Sequence, residues 1–234
     1  MEIAAMPDFP REGPKEAATL GSSLYEQLRH DLVFGLLKPD TKLKLDSLKN
    51  LYQASVPTLR ETLNRLASEG FVSAPAQRGF FVAPVSAADL TEIAQLRILL
   101  ETHALRISIQ NGDTDWEADL LASYHRLRQT EKQMLGGDHS VKEHWKYYDW
   151  KFHQMLIRNC QSANLLALHG LIFDKYLRYQ MLVLTFRGSP AAVEHNELFE
   201  AAMSRDAENA CAMLTRHIED GLAHALPIFE QAAQ

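Results

Sequence analysis

The chain has 234 residues, 46% hydrophobic and 23% charged, with a formal net charge of −6, the composition of an ordinary folded protein with room for one large domain or two small ones. No apolar run approaches the roughly 20 residues that a membrane span needs, and the first twenty residues mix charges with prolines, which excludes a secretory signal. Two cysteines, Cys160 and Cys211, make no disulfide framework and point to a reduced, cytoplasmic setting.

Residues 1–20 read as a disordered tail. Leu24, Leu28, Leu32 and Leu36 then recur every four residues and predict a helix over 22–37, capped by Ser22 or Ser23 and stopped at Lys38-Pro39-Asp40. A short helix is predicted over 46–52 and a turn at Gln53-Ala54. Ser55 caps the next helix, which accepts Pro57 in its first turn. In that helix Leu59, Leu63, Leu66 and Ala67 form the inward stripe, and Gly70 ends it. Residues 71–74 and 79–82 read as two strands of a hairpin around Pro75-Ala-Gln-Arg78-Gly79.

The outward face of the Ser55 helix carries Thr58, Arg60, Glu61, Asn64 and Arg65. Arginines there can reach phosphates or guanine edges, and Thr58 can bond a phosphate oxygen. Lys44 and Lys49 flank the same face, and Gln77, Arg78 and Gly79 sit at the hairpin tip, where a minor groove would admit them. Taken alone, an Arg-bearing helix is more often a solvated charged surface. The hairpin that follows directly shifts the reading to a winged helix-turn-helix. Charge agrees: residues 1–84 net to zero, 38–84 hold seven basic residues against four acidic, and the whole deficit falls in residues 85–234.

Ala83-Pro84-Val85 marks a boundary. Ser86-Ala-Ala-Asp89 has the form of a capping box with Asp in place of Glu. Beyond it only helical periodicity is found, over about 86–110, 114–135, 140–159, 162–186, 189–204 and 207–232. Ser189-Pro190 is a strong start signal, an N-cap before Pro at N1, and Pro227 should kink or shorten the last helix. The predicted fold is mainly α: a tail (1–20), a winged helix-turn-helix (21–84) and an all-helical domain (85–234).

The helical domain holds Asp149 and His153 one turn apart, with His195 and His217 on later helices. Three imidazoles and a carboxylate suit zinc, nickel, manganese or iron(II). By spacing alone such an Asp-x-x-x-His pair is more often a surface or core pair than a ligand set. Arg97 stands four residues before Glu101, an ion-pair spacing that does not prevent it from meeting an anion.

The run Ser-x-x-x-Leu-Arg-Glu-x-Leu-x-x-Leu-x-x-Glu-Gly-Phe-Val, followed by Gln-Arg-Gly-Phe-Phe-Val, resembles the GntR superfamily of bacterial regulators over residues ~22–84. Ser86 onward, Arg97 with Glu101, and the histidine pattern resemble the FCD ligand-binding domain of its FadR subfamily. The resemblance implies that Asp149, His153, His195 and His217 hold a divalent metal, zinc first, and that a carboxylate effector binds beside it with help from Arg97, Tyr148 and Arg178. It implies a homodimer on two-fold operator DNA, acting as a repressor. Val56 stands where family members often carry Arg, so a base contact of those members is not carried over. The segment from Pro227 to Ala232 and the Leu59-Arg-Glu helix resemble glutarate-responsive regulators of the CsiR type, which implies a C5 dicarboxylate. Two other classes stand beside this one: a metal-dependent enzyme acting on a small organic acid, and a helical adaptor for a protein partner.

Overall fold

The computed structural model describes residues 20–183 and 186–232. The tail expected over residues 1–20 lies outside them apart from Leu20. The N-terminal part runs α1 (Leu20–Val33), β1 (Lys42–Leu43), α2 (Leu45–Tyr52), α3 (Val56–Ser68), β2 (Val72–Ser73) and β3 (Phe80–Val82). Leu24, Leu28 and Leu32 of α1 are buried as their period requires, together with Leu59, Leu63 and Leu66 of α3. Each such side chain contributes about 1.5–3 kcal/mol of burial.

α1 stops at Val33, earlier than the leucine spacing predicts. Gly35 takes φ 73°, and the Leu37 amide turns back to the Asp31 carbonyl at 3.1 Å. Leu36 is therefore 51% exposed and does not extend the stripe. The wing has a third strand that the sequence reading omits. β1 pairs antiparallel with β3, Leu43 opposite Phe80, giving the strand order β1-β3-β2. Two residues are too few for alternation to be visible in sequence.

The helical part comprises α4 (Ala87–Asn111), α5 (Thr114–Leu135), a 3₁₀ turn (His139–Val141), α6 (Lys142–Ile157), α7 (Ala163–Val183), α8 (Ser189–Met203) and α9 (Ala207–Ala232). α4 packs along α9 and α7, α5 against α6, and α8 against α9. The Ser86 hydroxyl accepts the Asp89 amide at 3.1 Å, half of a capping box. Asp is one carbon shorter than Glu, and the return bond is relayed. The Tyr179 hydroxyl accepts the Ser86 amide at 3.1 Å and donates to Asp89 at 2.6 Å.

Two expectations about helix ends need correction. Ser189 is the first residue of α8 and not its cap; Gly188, at φ 69°, precedes the helix without a side-chain cap. α9 runs through Pro227 to Ala232. The proline removes only the hydrogen bond to the Ala223 carbonyl, close to the helix end, where that loss is cheapest.

Two hydrophobic cores are present, and they share a helix. The larger joins α4, α5, α6, α7, α8 and α9. The smaller is that of the winged helix, yet it also contains Phe173 and Leu177 of α7, with Trp150 of α6 partly buried against it. Arg29 of α1 pairs with Asp174 of α7 at 3.0 Å beside them. Among the described residues no helix is long and apolar enough to cross a membrane.

Candidate metal and effector site

α6 buries Trp145, Phe152 and Leu156, and this carries Asp149 and His153 inward, one turn apart. α8 turns in His195 beside Leu198, and α9 brings His217 against them, with Leu214 and Ile218 buried around it. One ligand atom from each of Asp149, His153, His195 and His217 lies within 4.8 Å of the others. Asp149 Oδ1 is 3.2 Å from His195 Nε2 and 4.0 Å from His153 Nε2. Donors bound at about 2.1 Å around a tetrahedral zinc stand about 3.4 Å apart, so the cluster has the spread of a metal site before full closure. His195 Nε2 is buried 3.2 Å from Asp149 Oδ1 without good hydrogen-bond geometry, and a cation between the two would satisfy both. The residues fit a divalent metal.

Electrostatics prepares the donors. Burial alone raises the Asp149 carboxyl, but the Lys146 ammonium and the adjacent His195 hold it well below its usual range. Burial pushes His217 down to about 3 despite Glu194, and lowers His153 as well. His195 goes the other way. Burial opposes its charge, but Asp149 and Glu131 together push it up to about 9. A metal replaces that proton when it binds.

A cavity of about 50 Å³ opens beside the cluster, lined also by Arg97, Lys146, Tyr176, Gln180 and Arg187. At about 10–15 Å³ per water it holds a few waters or one carboxylate group. Arg97 grips Glu101 through Nε at 2.5 Å and a terminal nitrogen at 3.1 Å. Its guanidinium sits 4.4 Å from both the Phe173 and the Tyr176 ring. Lys146 reaches Asp149 Oδ2 and Gln180 Oε1, each at 3.1 Å. Arg187 is held on Glu194 at 2.6 and 3.0 Å.

Comparison with known proteins accounts for both halves. Residues 20–82 match the family of bacterial regulatory proteins, gntR family, and residues 92–220 match the FCD domain. The HTH-type transcriptional regulator BphR of Paraburkholderia xenovorans (strain LB400) is 35% identical over 88% of this chain and 84% of its own length. The chain belongs to the GntR family.

The HTH-type transcriptional repressor GlaR of Escherichia coli (strain K12) is a further relative, 30% identical over 89% of this chain and 94% of that protein. The solved structure of Escherichia coli McbR/YncC has the same fold, with a TM-score of 0.75 at 20% identity, covering 92% of this chain and 99% of that one. This GntR chain is thus a transcription regulator with an FCD effector-binding domain. The matched segments are those of regulators, and the metal-dependent enzyme reading has no support.

The expected DNA-facing residues are mostly exposed on the winged helix. Lys44, Lys49, Arg60 and Asn64 are exposed, as are Gln77, Arg78 and Gly79 at the wing tip. Gln77 and Gly79 take φ 61° and 88°, the left-handed turn that Gly adopts without strain. Thr58 is engaged in the cap, its amide donating to Ser55 Oγ at 3.3 Å and its hydroxyl 2.8 Å from the same atom. Arg65 is exposed as well, and its guanidinium also covers the Tyr25 ring of α1 at 3.6 Å while its Nε meets Glu69 at 3.3 Å.

Two effector candidates fall outside the cavity. Arg178 projects from α7 to the Ala83 carbonyl, where it clamps the boundary between the two parts. Tyr148 stacks edge-on with Tyr147, away from the lining. Lys146 and Arg187 line the cavity instead. Lys146, three residues before Asp149, could have been found from helical spacing. Arg187 lies at a break between helices, where no period operates.

Proposed function

We propose that this GntR regulator binds operator DNA through α3 and the wing, and that a small carboxylate effector, seated beside a divalent metal on Asp149, His153, His195 and His217, controls that binding. The observation that carries this reading is a shared element. The ring of Phe173 contacts Arg97 at the cavity and is also buried in the core of the winged helix. A change at the cavity therefore has a packed route to the DNA-binding part, and packed interfaces move between discrete arrangements.

Charge supports an anionic effector. Asp149, Glu101, Glu131 and Glu194 supply four carboxylates around the site, against three cations, Arg97, Lys146 and Arg187. With neutral imidazoles that sum is −1, and a bound dication makes it +1. The metal would act as a Lewis-acid anchor, Arg97 would steer a carboxylate oxygen by charge-assisted hydrogen bonding, and Tyr176 and Trp145 would wall the chain of the acid. A C5 dicarboxylate such as glutarate is the first candidate, zinc the first metal.

The protein acts as a cytoplasmic homodimer on a two-fold operator. Leu99, Leu121 and Val193, exposed at 65%, 52% and 54%, offer apolar surface for pairing. Repression relieved by ligand is the proposed sense, in keeping with the description of one relative as a repressor. Ala83-Pro84-Val85 is proposed as the joint between a DNA-binding domain over 21–84 and an effector domain over 85–234. Native mass spectrometry of the purified protein tests the reading: it should show a dimer retaining one dication per chain, and a metal-free dimer that still binds small acids would overturn it.

A further inference from the structure

Behind the four candidate ligands stands a second set of acids. We propose that Glu131 and Glu194 are positioning residues for the metal, each holding the Nδ1–H of one histidine and so presenting the Nε2 atoms of His195 and His217 to the ion. The inference rests on the metal reading above and goes further, because it assigns the ligating atom of two imidazoles and a task to two acids outside the ligand set.

The geometry occurs twice, from two different helices. Glu131 of α5 places Oε1 2.6 Å from His195 Nδ1. Glu194 of α8 places Oε2 2.7 Å from His217 Nδ1. Glu101 of α4 comes within 3.4 Å of His153 Nδ1 but makes no hydrogen bond with it, and is not one of the pair. A neutral imidazole carries one N–H and one lone pair. A carboxylate at Nδ1 fixes the proton there and leaves the lone pair on Nε2, aimed at the ion, while raising the basicity of the ring.

Glu131 shows that these contacts are more than general ion pairing. It is 2% exposed, and among the described residues it has no Lys or Arg partner. Glu101 and Glu194 are each offset by an arginine; Glu131 faces only His195. Keeping a carboxylate buried is costly, and the one group it serves is a candidate ligand. Glu101 serves two other groups, Arg97 and His169, whose Nε2 lies 3.1 Å from Oε1, and so has other reasons to be buried.

The test uses the full-length protein labelled with ¹⁵N-histidine and loaded with ¹¹³Cd. Coupling between ¹¹³Cd and nitrogen should fall on Nε2 of His195 and His217, with Nδ1 protonated in each. Zinc affinity, read by competition with a chromogenic chelator, should fall 10–100-fold in Glu131→Ala. It should recover in part in Glu131→Gln, whose amide oxygen still accepts the Nδ1–H. Coupling to Nδ1 of either histidine, or unchanged zinc affinity in Glu131→Ala while His195→Ala loses the metal, overturns this proposal and leaves the metal reading standing. A wild-type protein that takes up no metal overturns both.

Discussion

Phe173 and Arg97 touch across the boundary between the cavity of the helical part and the winged-helix core. The guanidinium lies 4.4 Å from the ring centroid, on a pair with Glu101, while the same ring is 1% exposed and packed among the residues of the winged helix. α7 therefore belongs to both halves of the molecule, and Asp174, its next residue, pairs with Arg29 of α1.

Phe173→Leu should weaken the coupling and keep the fold. The smaller side chain retains most of the burial but loses the ring that meets Arg97. Metal content should be unchanged, and the ratio of operator affinities with and without effector should move toward one. An unaltered ratio would remove Phe173 from the transmission route. Phe173→Ala is expected to cost about 3–5 kcal/mol of stability, the usual result of deleting a fully buried ring, and is the poorer probe.

His195→Ala should abolish metal retention while leaving the dimer folded. His195 Nε2 lies 3.2 Å from Asp149 Oδ1, and the substitution also strands Glu131. Metal content by mass spectrometry and dimer mass from the same sample check both halves of the statement. Full metal occupancy in the variant would mean that the ligands are other residues.

Arg60→Ala should weaken operator binding by roughly 1–3 kcal/mol if the side chain reads a base. Arg60 is exposed on α3. Arg65→Ala should cost less in DNA affinity and more in stability, because Arg65 covers the Tyr25 ring and meets Glu69. Equal losses of DNA affinity in the two variants would show that both reach the duplex.

Asp174 makes the interface between α1 and α7 sensitive to pH. Burial raises its carboxyl to about 6, even with Arg29 opposing. The folded protein then binds more protons than the unfolded chain between about pH 4, the ordinary value for Asp, and pH 6. Stability from this residue is therefore present at the acid end and is lost as pH rises through that window. Asp174→Asn should flatten the melting temperature against pH between 4 and 6; an identical profile in the variant would contradict the assignment.

Much of this architecture could be read from local pattern. Leucine spacing located α1 and α3, and Ser55 with Pro57 marked the start of α3. The one-turn spacing of Asp149 and His153 put them on a common face of α6. Pairings across helices were not legible. Glu131 and His195 are 64 residues apart, and no local period states which helix faces which. Nor did any pattern assign Phe173 to the winged-helix core, because its 3.6-residue rhythm is the same whichever neighbour it meets. Arg178 was read as an effector contact from the family resemblance; a terminal nitrogen of it donates to the Ala83 carbonyl, outside the cavity.

The claim at the centre is that a metal-anchored acid at Asp149 and its histidines governs the grip of α3 on DNA. Fluorescence anisotropy of a labelled fragment from upstream of the regulator's own gene measures it most directly, with zinc-loaded and chelator-stripped protein each titrated with glutarate and a panel of other small carboxylates. The zinc-loaded protein should bind the fragment and change its affinity at least fivefold with one of the acids, and the stripped protein should bind DNA without that response. The same response from stripped protein, or none from loaded protein to any acid in the panel, would contradict it.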